Sequence, residues 1–387
     1  MRQTTKILSI YCSMILLISC VPEKEGDKVT KHIIPLKKEI LNENILQDYS
    51  SFIEIVSIIP LEETSLSSIQ KVDKVIPSDS SYYILDRTSN KIFIFSKSGK
   101  FKYYYYPKDN SPISDFIITN NYVVAYSHEN DALLLLDKEL KFLSKKYINF
   151  KFLSFSYNEQ LQKYIFDIGY NTNEFLKGYQ LLTTDLNFNL LSKSYKDNAN
   201  ISWFLESSDG FGKLNLDNTF INNQTYYLPF FSNTLYSIQD TGNLYPEFEF
   251  DFGYSFLNTE LITKFEKELG SPSDMYNIRD LVHSLGYSAN RNFLALSFSL
   301  NKKTYHFFFN KLKKEGKLVE APKDSSCGCG TLLSYKGFDN ENLILSVNQQ
   351  KLPSFIKTVN LSTKPFNQTF KSIGKQNPVL FLASINI

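Results

Sequence analysis

Cysteine is scarce in this chain of 387 residues, with four in all. Cys12 and Cys20 fall in the first twenty residues, which leaves Cys327 and Cys329 in SSCGCG. That is too few for a scaffold stapled by disulfides. Glycine and proline are also modest, at 15 and 13, which excludes collagen-like or low-complexity character. Charge of one sign is missing as well. The formal net charge is +2, without a basic run, so steering toward nucleic acid is not supported. The four histidines, His32, His128, His283 and His306, form neither H-x-H nor HExxH. A G-x-S-x-G elbow and a phosphate-binding loop are both absent. No catalytic residue, metal site or cofactor is read from these residues.

What the chain has is β-favouring bulk. Hydrophobic residues make up 42% and aromatics 15%, with 32 Phe and 25 Tyr. Such side chains suit pleated, half-buried surfaces. They are arranged in a repeat. Residues 82–106 read YYILDRTSNKIFIFSKSGKFKYYYY: strand, polar turn, strand, Ser98-Gly99 turn, strand. A second copy runs from Tyr122 to Tyr147, a third starts near Tyr164, a fourth at Tyr226, a fifth at Phe293 and a sixth at Leu343. Short apolar runs bounded by turn signals mark strands buried on both faces. A period near forty with about four strands per unit predicts a radial array, because no unit buries both faces alone. The fold class is therefore all-β, a six-bladed β-propeller.

The stretch ILDRTSNKIFIFSKSGKF resembles an NHL-type propeller repeat, with Asp86, Asn90, Lys91 and Gly99 on its characteristic positions. The wider chain resembles six-bladed propeller lipoproteins of gut-type Gram-negative bacteria, a family of uncharacterised function. SIIPLEET (57–64), SNTLYSI (232–238), FDFG (250–253) and NPVLFLASI (377–385) carry that likeness. The family has a GxGPxEY loop after its first blade. Here that place reads YPKDNSPISDF, so a function tied to the loop does not carry over. The resemblance implies that an N-terminal strand, Phe52 to Leu61, closes the ring beside Leu343–Val347 and Val379–Ile385, leaving no free edge.

The N-terminus has Arg2 and Lys6, then a mostly apolar stretch from Ile7 to Ile18, short for a bilayer span. Leu17-Ile18-Ser19-Cys20 resembles a bacterial lipobox. The resemblance implies a signal peptide over 1–19, acylation of Cys20, and an outer-membrane lipoprotein facing the periplasm or the cell surface. Several acyl chains hold a protein far better than one. Residues 20–48 are polar and charged and predict a flexible tether, followed by the propeller over 49–387.

One segment breaks the β pattern. TELITKFEKEL (259–269) places Leu261, Ile262, Phe265 and Leu269 on one helical face, and SDMYNIRDLVHSL (273–285) reads as a second helix stopped by Gly286. Together they predict a helical insertion over about 258–286, with His283 three residues after Asp280. Its roles are covering a blade edge, or acting as a lid or partner surface.

Propeller ligands commonly meet the face where turns between second and third strands gather with the inter-blade links. That face is expected to carry Asp86 and Arg87, His128 and Asp131, residues 171–174, Asn233 and residues 301–303. Its polar, amide-rich character suits a glycan or peptide. Trp203 is either a core anchor or a stacking ring for sugar. Cys327 and Cys329 are either a plain loop pair or a redox or metal-binding pair, a C-x-C bridge being strained and easily reduced. The leading expectation is a lipid-anchored module binding a ligand or an envelope protein, with the bilayer reached through Cys20. The alternative is a lyase or hydrolase at the channel mouth, acting on a polysaccharide or peptide.

Overall fold

The computed structural model describes residues 31–37, 45–46, 49–169, 175–176, 178–196, 226–229, 231–238, 243–268, 274, 278–321, 334–359, 361 and 377–387. Three strands come first: β1 (His32–Pro35), β2 (Ile45–Leu46) and β3 (Ile53–Pro60). Blade one is β4 (Lys74–Pro77), β5 (Ser81–Asp86), β6 (Lys91–Ser96) and β7 (Phe101–Tyr105). Blade two is β8 (Ile113–Ile118), β9 (Val123–Ser127), β10 (Ala132–Leu136) and β11 (Phe142–Tyr147). Blade three is β12 (Ser154–Asn158), β13 (Lys163–Asp167), β14 (Tyr179–Thr184) and β15 (Leu190–Lys196). The described part of blade four is β16 (Tyr226–Tyr227), β17 (Thr234–Ile238) and β18 (Leu244–Asp251). Blade five is β20 (Leu281–Ala289), β21 (Phe293–Leu300), β22 (Lys303–Asn310) and β23 (Glu315–Glu320), with the two-residue β19 (Ser255–Phe256) paired parallel to β20. Blade six has β24 (Ser334–Asp339), β25 (Asn342–Val347) and β26 (Val379–Ile385).

Blade six takes its outer strand from the other end of the chain. β3 pairs antiparallel with β26, from Ile53 opposite Ile385 to Pro60 opposite Val379. This is the closure expected from SIIPLEET. Ile53, Ile55 and Ile58 enter a core with Phe381, Val379 and Phe355. Each of the six seams between blades carries its own buried cluster. The seam between blades six and one joins Ile59, Leu61, Ile344 and Leu380 to Tyr82, Ile84, Phe93 and Phe95. Continuous apolar runs such as KIFIFS are explained by these seams, because both faces of a middle strand pack on a neighbouring blade.

The segment expected to be a tether is docked on the ring at two places. β1 lies parallel to β18, with His32 opposite Phe248 and Pro35 opposite Asp251. β2 lies parallel to β23, outside the fourth strand of blade five. Ile34 and Leu36 are buried with Phe248 and Phe250. The flanking lysines Lys31 and Lys37 stay exposed and pair with Glu249 and Asp251. The polar composition of this stretch hid two apolar residues at strand spacing.

Among its described residues, the insertion expected over about 258–286 holds one helix and the start of a strand. A helix, α1, spans Thr259–Glu268, with Asn258 accepting the amide of Leu261 at 2.9 Å and Ile262 buried. From Leu281 onward the expected second helix is instead a strand: Leu281–Ala289 pairs along β21, and His283 lies opposite Ser299, while residues 269–273 and 275–277 lie outside the described residues. Gly286 ends no helix. It sits at a bulge in the ladder between His283 and Gly286. The seam decides here, because Val282, Tyr287 and Ala289 bury against blade four. A short helix not anticipated from the sequence, α2 (Leu352–Thr358), packs Phe355 on Phe381 at 4.5 Å.

Candidate functional site

The strands define two ends of the ring. At the link end, turns between second and third strands meet the inter-blade connections. At the hairpin end lie turns between first and second strands and between third and fourth.

Asp86, at the link end, is wholly buried. Its Oδ1 accepts the amides of Thr88 and Ser89 at 3.0 and 3.2 Å, and its Oδ2 accepts the Gln70 amide and the Ser89 hydroxyl, both at 2.8 Å. Both oxygens are spent on holding the turn and the closing link. Arg87 is exposed, and its Nε donates to the Ser114 carbonyl of blade two at 2.8 Å. Asn90 does similar bridging: its Oδ1 accepts the Ile113 amide and its Nδ2 donates to the Ser111 carbonyl. His128 is exposed, edge-on to Tyr126. Asp131 has φ +45° and a buried Oδ1 without a hydrogen-bond partner. Asn233 lies in the turn between β16 and β17, but its Nδ2 donates to the Phe250 carbonyl at 3.1 Å and its carbonyl accepts the Phe250 amide. The predicted residues thus share one end of the ring without converging on one point. Residues 171–174, Trp203, Cys20, Cys327 and Cys329 lie outside the described residues.

The inner strands carry their charges in pairs at this end. Lys74 Nζ lies 2.7 Å from Asp115 Oδ1, both nearly buried, and Asp115 Oδ2 accepts the Phe155 amide at 3.3 Å. One carboxylate therefore ties three blades together. Asp73 accepts the Arg87 amide and pairs with Lys71 at 2.7 Å. Asp167 differs. It is fully buried, accepts the Gly169 amide at 3.0 Å and leaves Oδ2 without a partner. Burial pushes its carboxyl up to about 7. Among the described residues no group of three or more His, Cys, Asp or Glu is placed to hold a metal.

A cavity of about 610 Å³ opens at the hairpin end, opposite the face the sequence pointed to. It is formed by the first turns of blades one, five and six: Ser78 and Asp79, Asn290 and Arg291, Asp339 and Asn340. Pro77, Ala289 and Phe338 give it apolar wall, and Lys97 enters from the neighbouring turn of blade one. Lys97 Nζ pairs with Asp339 Oδ2 at 2.6 Å, and the Tyr82 hydroxyl donates to the same oxygen at 2.7 Å. The ammonium also sits 4.3 Å from the centre of the Tyr82 ring. Burial, and then the Asp339 carboxylate, hold the Tyr82 hydroxyl well above its ordinary range, so it remains a donor. Asn290 Nδ2 donates to the Asn340 carbonyl at 2.9 Å, locking the turn of blade five to that of blade six. Asp79 and Arg291 are exposed on the rim, and among the described residues neither charge is hydrogen-bonded or ion-paired.

This site was missed because its blade-one turn lies more than two hundred residues from the turns of blades five and six. DSS, NRN and DNE are ordinary turn sequences one at a time. Only the closure that seats blade six beside blade one makes them neighbours.

Comparison with known proteins agrees with this architecture. A family model described as a 6-bladed beta-propeller matches residues 23–346. The chain belongs to that family. A candidate exported protein from Bacteroides fragilis has a similar structure, with a TM-score of 0.73 at 14% identity, covering 92% of this chain and 100% of that one. Virginiamycin B lyase from Staphylococcus aureus gives a TM-score of 0.41 at 10% identity, covering 86% of this chain and 100% of that one. No curated protein matches the chain.

Proposed function

We propose that this protein is a lipid-anchored envelope propeller that binds a polar ligand in the hairpin-end cavity between blades five, six and one. The observation that carries this reading is a concave site of about 610 Å³ with rim charges that the described chain leaves unpaired. Small-ligand sites are commonly concave, of a few hundred Å³, with few polar groups on an apolar wall. Pro77, Ala289 and Phe338 give that wall, and the Asn290 tether keeps two of its turns in register. Pre-set geometry lowers the ordering cost of binding.

The anchor half of the proposal rests on Cys20 and its lipobox-like surroundings. A fold relative is described as a candidate exported protein, and export is what this compartment requires. Cells fed an alkyne-tagged fatty acid should label the wild-type chain, while Cys20→Ala should abolish the label and release the protein from membranes. An unlabelled wild type ends the anchor reading.

For the binding half, a glycan array and a peptide library are screened with wild type and with Ser78→Trp, which puts a bulky ring into the cavity from the half-buried first turn of blade one. Ligands that the tryptophan displaces support the site. Ligands unaffected by it move the site elsewhere. Turnover of a polysaccharide or peptide would replace binding with the channel-mouth enzyme reading.

A further inference from the structure

The cavity sorts its four charges into one satisfied pair and two open ends. Lys97 and Asp339 neutralise each other. Asp79, on blade one, and Arg291, on blade five, stand on either side of the Asp339–Asn340 turn of blade six. Neither has a partner among the described residues. Opposite charges free to meet at a surface gain little from pairing, but each gains more from a ligand that brings both hydrogen bonds and counter-charge. A guanidinium matches a carboxylate with two parallel N–H bonds. A carboxylate such as Asp79 accepts several bonds from an ammonium.

Resting on the binding reading above, we infer that the ligand is a short zwitterionic peptide. Its carboxylate meets Arg291, its amine meets Asp79, and its backbone crosses the Asn340 turn. Two details favour a peptide over a sugar. A neutral glycan hydrogen-bonds both side chains through its hydroxyls but brings a counter-charge to neither, and an acidic glycan answers Arg291 without supplying a cation to Asp79. The Asn340 side-chain amide has no partner among the described residues and lines the cavity between the two charges. One amide can donate to and accept from a peptide group.

The test is calorimetric titration of the detergent-solubilised full chain with trialanine, N-acetyl-trialanine, trialanine amide and maltotriose at up to millimolar concentration. Trialanine should bind, and each capped form should bind roughly tenfold more weakly, the scale of one lost charge-assisted contact. Arg291→Gln should abolish the preference for the free carboxylate only, and Asp79→Asn the preference for the free amine only. This matched pattern is one that a folding defect does not produce. Capped and free peptides binding alike, or no peptide binding, overturns the inference. If maltotriose binds instead and Ser78→Trp abolishes it, the cavity reading stands and the zwitterion falls. If Ser78→Trp changes no ligand's binding, both fall.

Discussion

The hydroxyl of Tyr49 lies 3.0 Å from Nδ1 of His306, a partner 257 residues away in the chain. Both side chains are buried, at 1% and 3% exposure. Tyr49 thereby pins the entry to the closing strand onto the third strand of blade five, beside Phe52 and Phe308. Tyr49→Phe keeps the ring and removes the hydroxyl, leaving Nδ1 buried and unsatisfied. The expected loss is about 1–3 kcal/mol in urea unfolding, with an unchanged m-value. No change in the midpoint would show that this bond contributes nothing net.

Removing residues 52–61 should cost far more than ten residues' worth of contacts. That strand fills seams on both sides, through Ile53 and Ile55 on one and Ile59 and Leu61 on the other. Its loss also bares the β26 edge. The truncated chain should show no cooperative thermal transition by near-ultraviolet circular dichroism. A sharp melt near the wild-type temperature refutes closure as the source of cooperativity.

Acid should destabilise the fold through its histidines. Burial lowers His283 and His306 from 6.5 to about 4. Between these values the unfolded chain takes up protons that the folded one refuses, so stability is full above about pH 6.5 and falls as pH drops toward 4. A complete shift of this size corresponds to about 3 kcal/mol per histidine. His306→Gln should flatten part of that acid limb in a pH series of chemical melts. A limb of unchanged slope would assign it to other groups.

Asp167 acts with the opposite sign. Its folded value near 7 lies above the ordinary 3.8, so the folded chain holds a proton that the unfolded chain releases. Its contribution is present at low pH and is lost as pH rises through 7. Asp167→Asn should therefore be more stable than wild type at pH 8, with the difference shrinking toward pH 4. Asparagine still offers an oxygen to the Gly169 amide. A constant difference across pH would mean that Asp167 does not titrate in this range.

Gly99 should tolerate no side chain. It has φ +83°, and a Cβ there would sit 2.0 Å from the Pro60 carbonyl oxygen. Its own carbonyl accepts the Glu62 amide at 2.8 Å. Gly99→Ala combines backbone strain with a clash against the closing strand, for a loss of roughly 2 kcal/mol or more. Scanning calorimetry showing a wild-type melting temperature would refute the clash.

The blades were legible because each is a local object. Ser81–Asp86, Lys91–Ser96 and Phe101–Tyr105 follow one another through short turns, and their apolar runs and turn residues state the pattern directly. Residues 281–285 were misread because Gly286 reads as a helix stop behind LVHSL, and only pairing with Phe293–Leu300 selects the strand. β1 was misread because four residues carry too little periodicity to outweigh the charges around them. Asp86 and Asn233 were placed at the right end of the ring, yet their polar atoms turned inward to backbone groups. Sequence shows where a polar side chain is, and not which buried amide needs it.

By itself, then, the sequence determined the blade: strand length, turn chemistry, the period near forty, and the apolar runs that demand a neighbour on each face. Tertiary structure alone decided which turns share a cavity. Asp79, Arg291 and Asp339 meet because the ring closes on β3 and seats blade six against blade one. The reason is physical: seam packing is non-directional and is written in every blade, whereas a site is a set of distances between groups far apart in the chain, which exist only once the ring is shut.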